Sequence, residues 1–140
     1  MPSSEVPGLL LDTHAWFWLV NGDLKLAPSA RLQVEAAARR GVLYVHAISV
    51  WEIALLAAKR RVLMNRPIRE WVSRALALPG LGLVPLNPEI AIESANLPGE
   101  IHRDPADRMI AAAARLLHLT LVTRTRGPRA VGTAGQVGAE

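Results

Sequence analysis

Apolar residues occur along this chain in short unbroken runs, which are separated by longer segments whose apolar positions have helical spacing. The run at residues 9–11 lacks polar alternation, which is typical of a strand covered on both faces of a parallel sheet, and further strands are expected at residues 42–46, 81–86 and 119–123. The segments between them predict helices. Strands and helices that alternate in this way predict right-handed crossovers and an α/β fold, a three-layer α/β/α sandwich with a mostly parallel central sheet.

Turn and capping residues locate the ends of the predicted helices. Helices are expected at residues 14–20, 28–40, 49–61, 68–78, 87–97 and 109–117. Ser49 and Glu52 have the spacing of a capping box, which predicts that the third helix starts at Ser49. Glycine, alanine and single polar residues prevail after residue 126. We therefore expect a single domain at residues 1–126 and a weak edge strand or a flexible tail at residues 127–140.

The composition is typical of one domain without a membrane span. The chain has 140 residues, about the length of a typical domain, and 51% of them are hydrophobic. Charged residues, proline or glycine interrupt every apolar run before it reaches the roughly 18 residues of a membrane span, so no membrane partner is expected. The first residues lack the basic start and apolar middle of a secretory signal, and cysteine is absent. These features favour a cytoplasmic protein that binds any metal through oxygen or imidazole.

Basic residues outnumber acidic ones by 16 to 12, which gives a formal net charge of +4. All of the basic residues except Lys25 and Lys59 are arginine, the side chain best suited to bidentate contacts with phosphate. A basic cluster at a predicted helix end can also serve only to balance the helix dipole. Taken together, the clusters favour a polyanionic partner, and nucleic acid is the first candidate.

Three acidic residues stand at the ends of predicted elements. Asp12 follows the first strand, Glu52 lies in the helix after the second strand, and Asp107 precedes the fourth strand. Each has an alternative role in helix capping: Asp12 alone, Glu52 with Ser49, and Asp107 with Asp104. Carboxylates that meet at one sheet edge repel one another unless a cation neutralises them. Oxygen ligands without cysteine select Mg²⁺ or Mn²⁺, which activate water in metal-dependent nucleases.

Four blocks of sequence resemble the signature blocks of PIN-domain proteins, and in particular those of VapC-type ribonuclease toxins of prokaryotic toxin–antitoxin modules. The blocks occur in the family's order and extend over most of the chain. They are Leu-Leu-Leu-Asp-Thr-His at 9–14, Ser-Val-Trp-Glu-Ile-Ala at 49–54, His-Arg-Asp-Pro-Ala-Asp-Arg-Met-Ile-Ala at 102–111 and Leu-Thr-Leu-Val-Thr at 119–123.

The resemblance implies a PIN-like fold and an Mg²⁺- or Mn²⁺-dependent endoribonuclease that hydrolyses RNA through metal-activated water. By motif position, the catalytic metal ligands would be Asp12, Glu52 and Asp107. Supporting roles are expected for Thr13, Asp104 and Ser49. The resemblance also implies a homodimer and a cognate antitoxin protein whose C-terminal segment occupies the cleft.

The chain departs from the family pattern after the fourth predicted strand. Many relatives have an acid in a Val-Thr-x-Asp arrangement, whereas this sequence reads Val122-Thr123-Arg124-Thr125. A second metal ion is therefore in doubt, and one alternative is a catalytically weak PIN domain that binds RNA or a protein partner without turnover. Another alternative is a different α/β phosphoryl-transfer enzyme, such as a small phosphatase. Arg108 and Arg124 flank the expected cleft, where they would contact RNA phosphate or pair with carboxylates.

The histidines and tryptophans are expected to have structural roles. The histidines are scattered, which favours ordinary hydrogen-bonded or surface positions; they are His14, His46, His102 and His118. The tryptophans have helical spacing beside other apolar residues, which favours the core or a dimer contact over stacking on nucleic-acid bases; they are Trp16, Trp18, Trp51 and Trp71.

Overall fold

The structure, a computed structural model, describes residues 8–98 and 104–123, together with the backbone of residues 136–137. Its strands are β1 (Leu9–Leu11), β2 (Leu43–His46), β3 (Leu81–Val84), β4 (Thr120–Val122) and β5 (Gln136–Val137). Its helices are α1 (Thr13–Asn21), α2 (Pro28–Arg39), α3 (Ala47–Ala58), α4 (Ile68–Leu76), α5 (Pro88–Ala95) and α6 (Pro105–Leu117).

The strands form one five-stranded sheet in the order β3-β2-β1-β4-β5, and every pairing in it is parallel. Strand β1 is central, and its last residue, Leu11, pairs with Val45 of β2 on one side and with Val122 of β4 on the other. The order reverses at β1, because β2 and β3 extend the sheet in one direction and β4 in the other. In open α/β sheets such a reversal opens a crevice at the carboxyl ends of the strands.

Helices cover both faces of the sheet, which confirms the predicted three-layer sandwich. Alternate side chains of a strand point to opposite faces, so β1 contributes Leu9 and Leu11 to one core and Leu10 to the other. The first core contains buried residues of α1, α2, α3 and α4, and the second contains those of α5 and α6. Because β1 is buried on both faces, its unbroken Leu9–Leu11 run was a reliable strand signal.

The capping-box interpretation of the third helix is wrong. Helix α3 begins at Ala47, and its N-cap is His46, whose Nδ1 accepts a hydrogen bond from the Ile48 N–H at 2.9 Å. Ser49 and Glu52 therefore lie inside the helix, where their side chains face other elements instead of the helix end. Histidine is not among the favoured N-cap residues, which explains why the sequence pattern pointed to Ser49.

Some predictions fall on residues that the structure does not describe, among them Arg124, Thr125 and His102. Strand β5 pairs with β4 through Gln136 and Val137, but the rest of residues 127–140 lies outside the described part, so the domain boundary at residue 126 stays a prediction. Over the residues that are described, no helix is both long and apolar enough to cross a membrane.

Candidate active site

The candidate site lies where β1 and β2 end, next to the beginning of α6. Asp12 directly follows β1, and its backbone N–H donates to the carbonyl oxygen of Val122 at 2.9 Å. Its side chain is the N-cap of α1, since Oδ1 accepts the N–H of Ala15 at 2.8 Å. The capping interpretation of Asp12 is thus correct. It is compatible with a functional role, because the bond orients a carboxylate at the crevice edge, where Asp12 is only 9% exposed.

A chain of hydrogen bonds links the start of α1 to the body of α3. The Thr13 hydroxyl donates to Oε1 of Glu52, and the Oγ atoms of Thr13 and Ser49 are 2.9 Å apart. Thr13 has one hydroxyl proton and gives it to Glu52, so Ser49 is the donor in the second bond. Thr13 and Ser49 are buried, and they hold the half-buried Glu52 carboxylate beside the N-terminus of α1.

The carboxylates of the site share one electrostatic field. Burial is the largest cause that raises the pKa of Glu52, and the negative charges of Asp107, Asp104 and Asp12 raise this pKa further. The hydrogen bond from Thr13 acts in the opposite direction, because it stabilises the ionised form. The structure therefore places Asp107, Asp104 and Asp12 close enough to Glu52 for their charges to act on it, and the role of the three predicted ligands stays a prediction.

Helix α6 supplies two of these acids in different ways. Asp104 is its N-cap, with Oδ1 accepting the Ala106 N–H at 2.8 Å, as the sequence predicted. Pro105 occupies the first position of the helix, where its missing N–H has no partner to lose. Asp107 lies in the first turn, where the helix dipole favours a negative charge. The reciprocal role of Asp107 in a capping box with Asp104 stays a prediction.

Of the two arginines expected near RNA phosphate, only Arg108 is described. Its Nε donates to the backbone carbonyl of Ser94 at 2.9 Å, which holds α6 against the end of α5. Nearby, Nε of Arg115 donates to Oε2 of Glu93 at 2.9 Å and links the same two helices. Arg108 therefore has a packing role, and contacts of Arg108 or Arg124 with RNA stay predictions.

The chemistry of the donor set suits a hard divalent cation. All of the acids offer carboxylate oxygens, and the sequence contains no cysteine that would select a softer metal. Among the residues that the structure describes, however, no three His, Asp or Glu side chains are gathered tightly enough to hold one ion. Glu52 is held by its hydrogen bond with Thr13. The carboxylate oxygens are the type of ligand that such a cation prefers, and Asp12 lies at the crevice. The described residues do not, however, surround a single point.

Sequence reasoning missed one contact and one residue of the site. The pairing of Ser49 with Thr13 connects positions 36 residues apart in the chain, so no local pattern could reveal it. His46 was assigned no specific role, yet it is fully buried and sets the start of the helix that carries Ser49 and Glu52. In the sequence, only its place directly after an apolar run could have indicated that His46 starts a helix.

Comparison with known proteins was informative for both sequence and fold. A family model described as the PIN domain matches residues 9–132. Ribonuclease VapC22 of Mycobacterium tuberculosis is 32% identical over 118 residues, which are 84% of this chain and 87% of that relative.

Solved structures with the same architecture include two complexes. One is a toxin–antitoxin complex from Klebsiella pneumoniae, 23% identical, with a TM-score of 0.61 over 95% of this chain and 98% of that chain. Another is VapBC2 from Rickettsia felis bound to a DNA fragment from their promoter, 18% identical, with a TM-score of 0.60 over 82% of this chain and 86% of that chain. At these identities the likeness concerns the fold.

Proposed function

The chain belongs to the PIN-domain family, and from that premise we propose that it is an endoribonuclease that hydrolyses RNA with the help of Mg²⁺ or Mn²⁺. The observation that carries the proposal is the hydrogen-bond chain that joins Glu52 to Thr13, next to Asp12 at the carboxyl end of β1. The charges of Asp107 and Asp104, at the start of α6, act on the same carboxylate. A similar relative is named a ribonuclease, which supports RNA as the substrate. The basic excess of the chain also suits a polyanion.

In this proposal, Asp12, Glu52 and Asp107 would hold the cation. When bound, a divalent ion lowers the pKa of a coordinated water and neutralises charge that develops on a phosphoryl group. The hydrogen bond from Ala15 fixes the orientation of Asp12, and Thr13 and Ser49 do the same for Glu52. The raised pKa of Glu52 means that a proton competes with the cation for this carboxylate, so binding strengthens as pH rises.

We further propose that the protein is the toxin of a toxin–antitoxin pair. Solved structures with its fold include toxin–antitoxin complexes, and the matching ribonuclease carries a VapC name. A cognate antitoxin protein is then the natural inhibitor, and a homodimer is the proposed assembly. Co-expression with the product of a neighbouring short reading frame, followed by size-exclusion chromatography, tests both interactions.

The activity is tested by RNA cleavage with and without Mn²⁺ in four proteins: the wild type, Asp12→Asn, Glu52→Gln and Glu35→Gln. Asn is as good an N-cap as Asp, so Asp12→Asn keeps helix α1 while it removes the charge. Glu35 is exposed on α2 and serves as the matched control for Glu52. We expect cleavage to fall by about 100-fold or more in the two site variants, because each loses a ligand of the cation that would stabilise transition-state charge. Equal cleavage by all four proteins would refute the assignment.

A second candidate function is RNA or protein binding without turnover. It is favoured by the stretch Val122-Thr123-Arg124-Thr125, which lacks the acid found in many relatives. If the folded wild-type protein binds RNA but does not cleave it at millimolar Mn²⁺, this second function is the correct one.

A further inference from the structure

Helix α1 has a partly accessible face that lies outside the carboxylate site and only in part against the hydrophobic core. His14, Phe17, Trp18 and Asn21 follow one another at the spacing that places side chains on one side of a helix. These four residues line a cavity of about 580 Å³, which is within the range of roughly 300–1,000 Å³ for small-ligand sites. The other lining residues come from the segments after α1 and α3, and they are Asp23, Lys25, Arg61, Val62 and Leu63.

Trp18 gives this cavity a flat aromatic wall. One side of Trp18 packs against the core, while the half-buried ring still borders the cavity. The His14 ring approaches it edge-on, with a centroid separation of 6.0 Å and an interplanar angle of 60°. Trp16 and Trp71 are 0% and 2% exposed, so the core interpretation is confirmed for these two tryptophans. Trp18 also packs against the core, but its half-buried ring lines the cavity as well.

The charged groups of the cavity are two cations and one acid. Lys25 and Arg61 are exposed, and Asp23 accepts the Lys25 N–H through Oδ1 at 2.9 Å, which shapes the turn. The backbone of Arg61 is fixed, because its N–H donates to the Leu56 carbonyl at 2.8 Å at the end of α3. Arg60 has φ of 56°, a position where glycine is the usual residue. Arg60, next to Arg61, is therefore a basic residue at a turn position that backbone preference alone would assign to glycine.

The cavity and the carboxylate site share helix α1, which begins at Thr13 beside Asp12. His14 follows Thr13, whose hydroxyl binds Glu52. Trp18 follows Asp12 by somewhat less than two helical turns, which is roughly 9 Å along the axis. An RNA strand with its phosphodiester at the carboxylates can thus bring a neighbouring base to Trp18. An aromatic face flanked by cations is the combination that binds single-stranded nucleic acid without sequence preference.

We propose that this cavity, bounded by α1 and the segments after α1 and α3, binds a nucleotide of single-stranded RNA beside the scissile phosphate. The base stacks on Trp18, and Lys25 and Arg61 contact backbone phosphate. The inference rests on the proposed function, because it assumes that the substrate is RNA. It adds a binding subsite that lies outside the carboxylate cluster.

The test is the binding of a fluorescein-labelled single-stranded RNA oligonucleotide to the full chain, followed by fluorescence anisotropy in EDTA so that the RNA stays intact. Trp18→Leu keeps an apolar side chain against the core but removes the stacking surface, and Trp18→Phe retains an aromatic ring. We expect Trp18→Leu to weaken binding on the order of fivefold to 150-fold, and Trp18→Phe to recover much of the loss. Trp51→Leu is the matched control, because Trp51 is 53% exposed and does not line the cavity.

The two cations are tested by salt dependence. The double variant Lys25→Ala/Arg61→Ala should reduce the slope of log K against log salt by roughly 1.4, about 0.7 for each lost phosphate contact with a single strand. Arg39→Ala, which changes an exposed cation on α2, should leave the slope closer to that of the wild type.

The outcomes separate this inference from the proposed function. If the wild type cleaves RNA and Trp18→Leu binds and cleaves it equally well, the subsite is refuted while the nuclease stands. If the wild type neither binds nor cleaves RNA, the nuclease proposal fails as well. A Trp18→Leu variant that changes only the sedimentation coefficient would also overturn the subsite, because it would mark this face as a contact between copies of the chain.

Discussion

Replacement of Thr13 by valine would test the hydrogen-bond chain at the centre of the site. The side chains have nearly the same shape, so Thr13→Val removes the hydroxyl without opening a cavity. Ser49 then loses its acceptor, and Glu52 loses the donor that stabilises its ionised form. One substitution therefore disturbs both stability and the titration of a proposed metal ligand.

The expected size of the effect follows from burial. Ser49 is 0% exposed, and a buried hydroxyl left without a partner costs about 1–3 kcal/mol. Glu52 is only half-buried, so solvent compensates part of its loss, and we assign this bond about 1 kcal/mol. The free energy of unfolding should fall by about 2–4 kcal/mol at neutral pH. The Ser49→Ala control keeps the bond from Thr13 to Glu52, and it should cost only about 1 kcal/mol.

The pH dependence of stability shows more sharply than its size whether Thr13 controls the charge of Glu52. The pKa of Glu52 is raised above its ordinary value of 4.5, so the contribution of this group to stability is fully present below 4.5 and is lost as pH rises through the folded-state pKa. Thr13→Val raises that pKa further, and its destabilisation should be larger at pH 7 than at pH 4. The acid limb of RNA cleavage should also move to higher pH, because the metal competes with the proton at Glu52.

Urea denaturation at several pH values and titration of the Glu52 carboxyl carbon by NMR measure these effects directly. Ser49→Ala should leave both pH profiles close to those of the wild type. If Thr13→Val leaves the Glu52 titration unchanged, or gives the same pH profile as Ser49→Ala, the hydrogen bond does not control the charge of Glu52 and the reasoning is wrong.

Two further predictions concern the scaffold that holds the site. Burial lowers the pKa of His46, so stability should decrease as pH falls below the ordinary value of 6.5, with a slope of up to about 1.4 kcal/mol per pH unit. His46→Asn, which keeps an N-cap for α3, should remove this part of the dependence in urea titrations, and an unchanged profile would exclude His46 as its source. A Cβ on Gly80 would lie 2.0 Å from the Ala38 carbonyl oxygen, at φ of +81°, so Gly80→Ala should destabilise by more than about 2 kcal/mol. Gly41→Ala is the matched control, since φ is +73° and nothing lies within 4 Å; equal losses in thermal unfolding would show that the clash is relieved.

Local pattern was sufficient to predict the fold class. An apolar run such as Leu9–Leu11 loses its polar alternation only when both faces of a strand are covered, so it already implied a layered sheet. The caps at Asp12 and Asp104 were also predictable, because a capping side chain reaches only the next two or three residues. The family resemblance then indicated which acids are candidate metal ligands.

Contacts between residues far apart in the chain could not be predicted from the sequence. The start of α3 at Ala47 was missed because histidine is an uncommon cap, and the bond between Thr13 and Ser49 joins residues that only the crossover between β1 and β2 brings together. The sequence did not decide solvent exposure either. Trp16 and Trp18 are the same residue type two positions apart, yet Trp16 is fully buried in the core and Trp18 borders a cavity. The sequence determined the elements and the candidate acids, because those depend on neighbours along the chain. Only the tertiary structure decided which side chains meet and which remain accessible, because that depends on how the helices pack against the sheet.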